Sequence, residues 1–159
     1  MADVEIGIGK TGRRAYGFDE IAIVPSRRTR DPEDVDISWE IDAFRFDLPI
    51  MASPSDSVVS PATAVELDRL GAMAVLHLEG LWTRYEDADP ILEEIAGLAP
   101  EKAISRMQEV YAAPVQPSLV EQRIADLRAS GVTVAVAVSP QHTLALAPHI
   151  LKAEPDLLV

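Results

Sequence analysis

From Leu48 to the last residue, short apolar runs alternate with segments of helical, amphipathic character. The apolar runs are the size of buried strands, and β-branched residues and small alanines fill the third of them. Strands that alternate with helices along a chain form parallel β-α units joined by right-handed crossovers. The sequence therefore predicts an α/β fold with a parallel sheet. The four predicted strands cover residues 48–53, 72–78, 132–139 and 156–159.

Capping signals mark the starts of three of the intervening helices. Ser60-Pro61 and Asp89-Pro90 each place a capping side chain before a proline at the first helical position. Ser118-Leu119-Val120-Glu121 has the spacing of a capping box. Gly71 and Gly131 are the expected stops after the first and last of these helices. A further helix is predicted over residues 143–153, with Pro148 as a kink or an effective start.

The first 46 residues lack this periodicity and are predicted to form an N-terminal arm. Short strands are expected over Ile21–Val24 and Ile37–Ile41, separated by a turn at Asp31-Pro32. Gly7–Gly12 spells G-x-G-x-x-G, but no convincing strand precedes it and no apolar helix follows. We interpret it as a flexible segment and not as a dinucleotide loop.

Charge and residue usage exclude several classes of function. The formal net charge is −12, from 26 acidic and 14 basic residues, which repels nucleic acids and anionic membranes. The basic run Arg27–Arg30 is expected to be a solvated loop. The chain contains no cysteine, so disulfides, thiolate metal sites and a cysteine nucleophile are excluded within it. Because a signal peptide and a membrane-spanning run are both lacking, we expect a soluble cytoplasmic protein.

Candidate polar groups follow the predicted strands. Ser53-Pro54-Ser55-Asp56 comes directly after the first strand, where two hydroxyls can bind a polar ligand or Asp56 can satisfy a local turn. His77 ends the second strand, at a position that barrel enzymes use for functional groups. His142 and His149 are expected on helix surfaces, and no histidine has partners at metal-ligand spacing.

Several of these segments resemble one enzyme family. Tyr16–Pro25 is similar to the opening motif of IMP dehydrogenases and GMP reductases, and Leu48–Asp56 to their first-strand motif. Residues 70–78 correspond to their following strand. Glu79–Asp87 resembles the signature of an actinobacterial, IMP-dehydrogenase-related branch that lacks regulatory CBS domains.

The resemblance implies a (β/α)₈ TIM barrel that binds a purine mononucleotide. Such a barrel needs about 250 residues, so residues 47–159 are predicted to form its first four strands after an arm of residues 1–46. The chain is then an N-terminal fragment. The resemblance places Ser53 and Ser55 in the nucleotide pocket, with Ser55 where the family has methionine. Ala72 and Ala74 replace family glycines.

The implied reaction is the oxidation of IMP to XMP with NAD. A cysteine thiolate attacks the purine, hydride leaves to the cofactor, and water releases the product. The catalytic cysteine loop lies beyond Val159 in family members, so the fragment alone is predicted to be inactive and prone to self-association. The complete enzyme is expected to be a homotetramer.

Two alternatives stay open. GMP reductase with NADPH is favoured by the interval from Gly80 to Val132, which is too short for the regulatory insert. A non-catalytic or decayed module is compatible with Ser55, Ala72 and Ala74.

Overall fold

The computed structural model describes residues 3–25 and 30–159. The chain divides into two compact units, residues 1–36 and residues 37–159, which are described separately. Most of the basic run Arg27–Arg30 lies outside the described residues, so its expected solvated loop stays a prediction.

The first unit is built on a small antiparallel hairpin. Its strands are β1 (Val4–Gly7) and β2 (Lys10–Gly12). Gly9, in the turn, has φ +70°, a left-handed conformation that glycine adopts without steric cost. The expected flexible segment is thus a hairpin.

The strand predicted over Ile21–Val24 does not form in this unit. Ile23 is 99% exposed and Val24 is 83% exposed, and no described strand pairs with this stretch. The prediction was wrong because an apolar run needs a partner strand and a core before it can form a stable strand.

The second unit contains a four-stranded parallel sheet whose strand order follows the chain. Every neighbouring pair in it is parallel, which confirms the predicted α/β class with a parallel sheet. The strands are β5 (Met51–Ala52), β6 (Met73–His77), β7 (Ala135–Ala137) and β8 (Leu157–Leu158).

Five helices connect and cover these strands. They are α1 (Pro61–Arg69), α2 (Asp89–Ala96), α3 (Pro100–Tyr111), α4 (Pro117–Ala129) and α5 (Thr143–Ala153). Among the described residues, every helix is too short or too polar to cross a lipid bilayer.

The start and stop of α1 follow the predicted chemistry. The Ser60 hydroxyl accepts a hydrogen bond from the Thr63 amide at 3.0 Å, which satisfies one of the amides left free at a helix start. Gly71 follows the helix with φ +81°, as a glycine stop requires. Pro148 lies inside the continuous helix α5.

Two other predicted caps are wrong. Helix α4 begins at Pro117, and Gln116 is its N-cap, so Ser118 lies inside the first turn and cannot cap it. The Glu121 carboxylate instead binds His149 and Lys152 of α5. Helix α2 likewise includes Asp89, with Ala88 before it. Proline is tolerated throughout a first turn because the amides there have no helical acceptor, so the helix can start one residue earlier than the cap pattern suggests.

The two faces of the sheet pack against different elements. Leu76, Val134 and Val136 belong to a large core shared with the helices. The alternate residues, including Val75 and Ala135, pack against Phe46 in a second cluster, as expected for side chains that alternate across a strand.

Phe46 belongs to an antiparallel hairpin, β3 (Trp39–Ile41) and β4 (Phe44–Phe46), which covers this second face. Strand β3 confirms the strand predicted over residues 37–41, although it begins two residues later, at Trp39. The division into an arm of residues 1–46 and a half-barrel of residues 47–159 stays a prediction.

Candidate functional site at the carboxyl edge of the sheet

Polar side chains follow the carboxyl ends of three neighbouring strands. Ser53 comes directly after β5, His77 ends β6 and Glu79 follows it, and Ser139 lies just beyond β7. Because the strands are parallel, these ends meet at one edge of the sheet. In open and closed α/β sheets, this edge is where ligands bind.

A buried carboxylate joins the ends of β6 and β7. Glu79 is only 8% exposed. Its Oε1 accepts a hydrogen bond from the Ser139 amide at 2.5 Å, and its Oε2 lies 2.6 Å from His142 Nδ1. The Ser139 hydroxyl lies 3.2 Å from the same ring nitrogen.

The hydrogen bonds keep the Glu79 carboxyl in its charged form. Burial of this side chain opposes ionisation, but the hydrogen bonds from Ser139 and His142 outweigh it, so the pKa of Glu79 lies below its ordinary value. A charged carboxylate can only accept, so His142 Nδ1 must carry the proton. The Nε2 atom of His142, whose side chain is 62% exposed, is then left to bind a ligand or transfer a proton.

His142 is exposed at the surface, as expected, but it precedes a helix and does not lie within one. It stands at the N-cap position of α5, exposed but tied to Glu79 across 63 residues of sequence. His149 does lie on a helix, yet its Nδ1 is 2.7 Å from Glu121 of α4. His77 is half-buried, and strand alternation places it on the face that carries Met73 and Val75.

Asp56 connects the loop after β5 to the loop after β6. Its Oδ2 accepts hydrogen bonds from the Leu81 amide, at 2.7 Å, and from the Tyr111 hydroxyl. The suggested role of Asp56 in a local turn is wrong, because the amides of the turn bind the Ser55 carbonyl instead. Burial and the neighbouring Asp56 raise the pKa of Tyr111, and Arg84 opposes this change.

Gly80 allows this connection. A Cβ built on it would collide with the Asp56 carboxylate, so a side chain at this position is incompatible with the observed approach of the two loops. The requirement is for space and not for a special backbone angle, since φ of Gly80 is −80°.

The loop that carries Glu79 is held in place by side-chain hydrogen bonds to its carbonyl groups. Arg123 of α4, only 9% exposed, donates hydrogen bonds to the carbonyls of Trp82, at 2.9 Å, and Glu86, at 2.5 Å. The Thr83 hydroxyl donates to the Leu78 carbonyl at 2.8 Å. Charged donors that satisfy buried carbonyls give strong hydrogen bonds, so Glu79 is presented by a rigid support.

The two serines of the predicted nucleotide pocket lie in different surroundings. Ala52 packs with the helix-side core, so strand alternation places Met51 and Ser53 on the opposite face. Ser55 lies 2.8 Å from Ser57, hydroxyl to hydroxyl, and lines a cavity beside α2 and α3. Their nucleotide-binding roles stay predictions.

Glu79, Ser139 and His142 were not singled out together from the sequence. The available signal was their position, since Glu79 and Ser139 each come within two residues of a predicted strand end. In the described part of the chain, no cluster of three or more His, Cys, Asp or Glu side chains could hold a metal ion.

A dinucleotide does not fit the G-x-G-x-x-G run. Its first and last glycines belong to the hairpin strands β1 and β2, and the element that follows is a three-residue 3₁₀ turn at Phe18–Glu20. A dinucleotide loop requires the N-terminus of a helix to receive the phosphates.

Comparison with known proteins decides the family. Residues 15–159 match the model of the IMP dehydrogenase / GMP reductase domain. The chain belongs to the IMP dehydrogenase/GMP reductase family. This confirms the resemblance predicted from the first-strand motif and from Glu79–Asp87, and the matched region includes every residue of the carboxyl edge.

Similar proteins are found among mycobacteria and corynebacteria. This chain is 45% identical, over 161 residues, to an uncharacterized oxidoreductase of Mycolicibacterium smegmatis, and the match covers 98% of this chain and 43% of the relative. A similarly named protein of Mycobacterium tuberculosis is 47% identical with the same coverage. The chain thus spans less than half the length of these relatives.

A solved structure supports the same assignment. The IMP dehydrogenase/GMP reductase-like protein of Corynebacterium glutamicum superposes with a TM-score of 0.81 at 45% identity, over 98% of this chain and 43% of that one. An inosine-5'-monophosphate dehydrogenase of Methanocaldococcus jannaschii is 32% identical over a shorter stretch of 65 residues, 41% of this chain and 13% of that protein.

Proposed function

We propose that the full-length gene product containing these residues is an IMP dehydrogenase-like oxidoreductase of purine nucleotide metabolism, which oxidises IMP to XMP with NAD in the cytoplasm. The observation that carries the proposal is the polar carboxyl edge of the sheet in a member of this family. We further propose that β5 to β8 are the first four strands of a (β/α)₈ barrel, and that the complete enzyme is a homotetramer.

Within this proposal, the edge residues bind and orient the purine nucleotide. Ser53 is exposed directly after β5, and its hydroxyl has no hydrogen-bond partner among the described residues, so it can donate to the nucleotide. Ser55 is the second proposed contact, with a hydroxyl where the family has an apolar side chain. The charged Glu79 holds the His142 ring through Nδ1, which leaves Nε2 for a ligand.

NAD is proposed as the hydride acceptor, but no residue of this chain is assigned to it. The proposed reaction also needs a cysteine thiolate, and the 159 residues contain no cysteine. We therefore propose that the 159-residue chain alone is inactive.

GMP reduction with NADPH is the second candidate. Between β6 and β7 the described chain contains a short 3₁₀ turn and the helices α2, α3 and α4. This interval leaves no room for a regulatory domain pair, and the absence of that pair favours the reductase.

Both directions can be tested in one assay of the purified full-length product. Nicotinamide absorbance is followed with IMP plus NAD and with GMP plus NADPH, and each reaction is repeated without nucleotide. Nucleotide-dependent formation of NADH supports the dehydrogenase. Consumption of NADPH with release of ammonia supports the reductase instead. No turnover in either assay, from protein that still binds IMP, would favour the non-catalytic module.

A further inference from the structure

The serine loop, residues 53–57, follows β5 and is held from outside by one side chain, that of Asp56. Among the described residues, Asp56 is the only side chain of the serine loop that bonds beyond it, since the hydroxyls of Ser55 and Ser57 lie 2.8 Å from each other. The position of the proposed nucleotide contacts at the carboxyl edge therefore depends on what Asp56 binds.

Two donors from different elements hold the Asp56 carboxylate. The Leu81 amide, in the loop after β6, donates to Oδ2 at 2.7 Å. The Tyr111 hydroxyl, at the end of α3, donates to the same oxygen. Hydrogen bonds to a carboxylate are stronger than those between neutral groups. Helix α3 therefore acts on the serine loop through one hydroxyl group.

The loop after β6 holds the Tyr111 ring in turn. Arg84 lies over this ring with its guanidinium carbon 5.7 Å from the ring centroid, a distance at which a cation is attracted to an aromatic face. The Nε atom of Arg84 donates to the Glu79 carbonyl at 3.0 Å, and Nη1 donates to the Ala113 carbonyl. The ring that carries the hydroxyl is thus held against the loop that carries Glu79.

We propose that Tyr111 is a positioning residue of the nucleotide site, which holds the serine loop at the carboxyl edge through its hydrogen bond to Asp56. This inference rests on the proposed function, because Ser53 and Ser55 are the nucleotide contacts proposed there. Tyr111 acts on affinity, because a loop that is fixed before binding loses little conformational freedom when the ligand enters.

Replacement of Tyr111 by phenylalanine in the full-length product tests this role. Tyr111→Phe removes the hydroxyl and keeps the ring beneath Arg84. It should raise the KM for IMP about three- to tenfold, the range expected when a hydrogen bond to a ligand is weakened or lost. The kcat should stay within about twofold of the natural value, because interactions made equally in the ground state and the transition state change KM alone.

Tyr85→Phe is the matched control. The Tyr85 hydroxyl also donates to the end of α3, to the Val110 carbonyl at 3.0 Å, but it makes no hydrogen bond with Asp56. Its loss should lower the thermal unfolding temperature and leave the KM for IMP unchanged. Equal rises in KM for the two variants would mean that any lost hydroxyl loosens the edge, and would overturn the specific role of Tyr111.

Amide hydrogen exchange without nucleotide separates this inference from the proposed function. Residues 53–58 should exchange faster in Tyr111→Phe than in the natural protein, whereas in Tyr85→Phe they should not. Unchanged exchange of these residues in Tyr111→Phe would overturn the inference, and so would faster exchange with an unchanged KM for IMP. Faster exchange in a protein that binds no IMP would refute the proposed function and leave the link from Tyr111 to the serine loop standing.

Discussion

At the scale of single residues, the carboxyl edge depends on side chains that reach from one strand end to the next. Glu79 joins β6 to β7, and Asp56 joins the loop after β5 to the loop after β6. Neither bond is local in sequence. The polar groups of the edge are therefore positioned by the packed sheet and not by their own flexible loops.

Ser53 provides the most direct residue-scale test of nucleotide binding. In the full-length product, Ser53→Ala should raise the KM for the nucleotide by up to roughly tenfold, because one hydrogen bond to a ligand is lost. The kcat should change less, and the thermal unfolding temperature should not change, since this hydroxyl has no partner in the described structure. Ser105→Ala, exposed on α3, is the matched control. An unchanged KM for the Ser53 variant would show that Ser53 does not bind the nucleotide and is only a turn residue.

Glu79 makes the stability of the edge dependent on pH. Its pKa is lowered in the folded protein below the ordinary value of 4.5. The unfolded chain therefore binds the proton more tightly, and the stabilisation is fully present above about pH 4.5 and lost as the pH falls through the folded pKa.

Urea unfolding of the full-length product across acid pH measures this effect. Glu79→Gln should be less stable than the natural protein above pH 4.5 and should lose less stability on acidification. Glu121→Gln tests a more exposed carboxylate whose pKa is also lowered, here by Lys152 and His149, and should have the smaller effect. Parallel pH profiles for the natural protein and Glu79→Gln would show that folding does not lower the pKa of Glu79.

At the scale of elements, the loop from Leu78 to Ala88 connects most of the site. It presents Glu79, receives Asp56 through the Leu81 amide, and is supported from α4 by Arg123. The structure requires Gly80 here because the Asp56 carboxylate occupies the space of a side chain.

Gly80→Ala should lower the free energy of unfolding by about 1–3 kcal/mol, the usual cost of forcing extra volume into a packed site. Gly97→Ala is the control, because a Cβ there meets only ordinary contacts at 3.6 Å and its φ is −83°. That variant should be neutral or slightly stabilised, since alanine restricts the unfolded chain. Chemical denaturation compares the two, and equal effects would mean that the Asp56 contact does not constrain the loop.

The elements with strong local signals were predictable from sequence. Apolar runs identified β5 to β8, and Ser60 with Gly71 marked the limits of α1, because capping chemistry acts within a few residues. The wrong predictions share one cause, which is that a suitable local pattern did not decide the structure. Ser118 has a capping pattern, but its helix begins one residue earlier. Ile23 lies in an apolar run, but the run has no partner strand among the described residues. Bonds such as Glu79 to His142 span 63 residues and have no local signal.

At the scale of the whole molecule, the open sheet is the dominant feature of the second unit. Hairpin β3–β4 covers part of one face. Met51 on β5 and Leu158 on β8 remain 53% and 52% exposed, and within the described residues β5 and β8 are the unpaired edges of the sheet.

The 159-residue chain alone should therefore self-associate. Exposed apolar surface and unpaired strand edges both promote association, although the net charge of −12 opposes it. Light scattering should detect oligomers, and a hydrophobic dye should bind. A monomer with one sharp thermal transition would contradict this prediction and would show that the hairpin covers enough of the sheet.

Binding of a purine nucleotide at the carboxyl edge of this sheet can be measured by amide hydrogen exchange of the full-length product, with and without saturating IMP. We expect slower exchange with IMP in residues 53–58 and 77–83, at the ends of β5 and β6, and no change in residues 130–134 and 154–156, at the opposite edge. Protection confined to that opposite edge, or no protection of residues 53–58 with IMP bound, would contradict it.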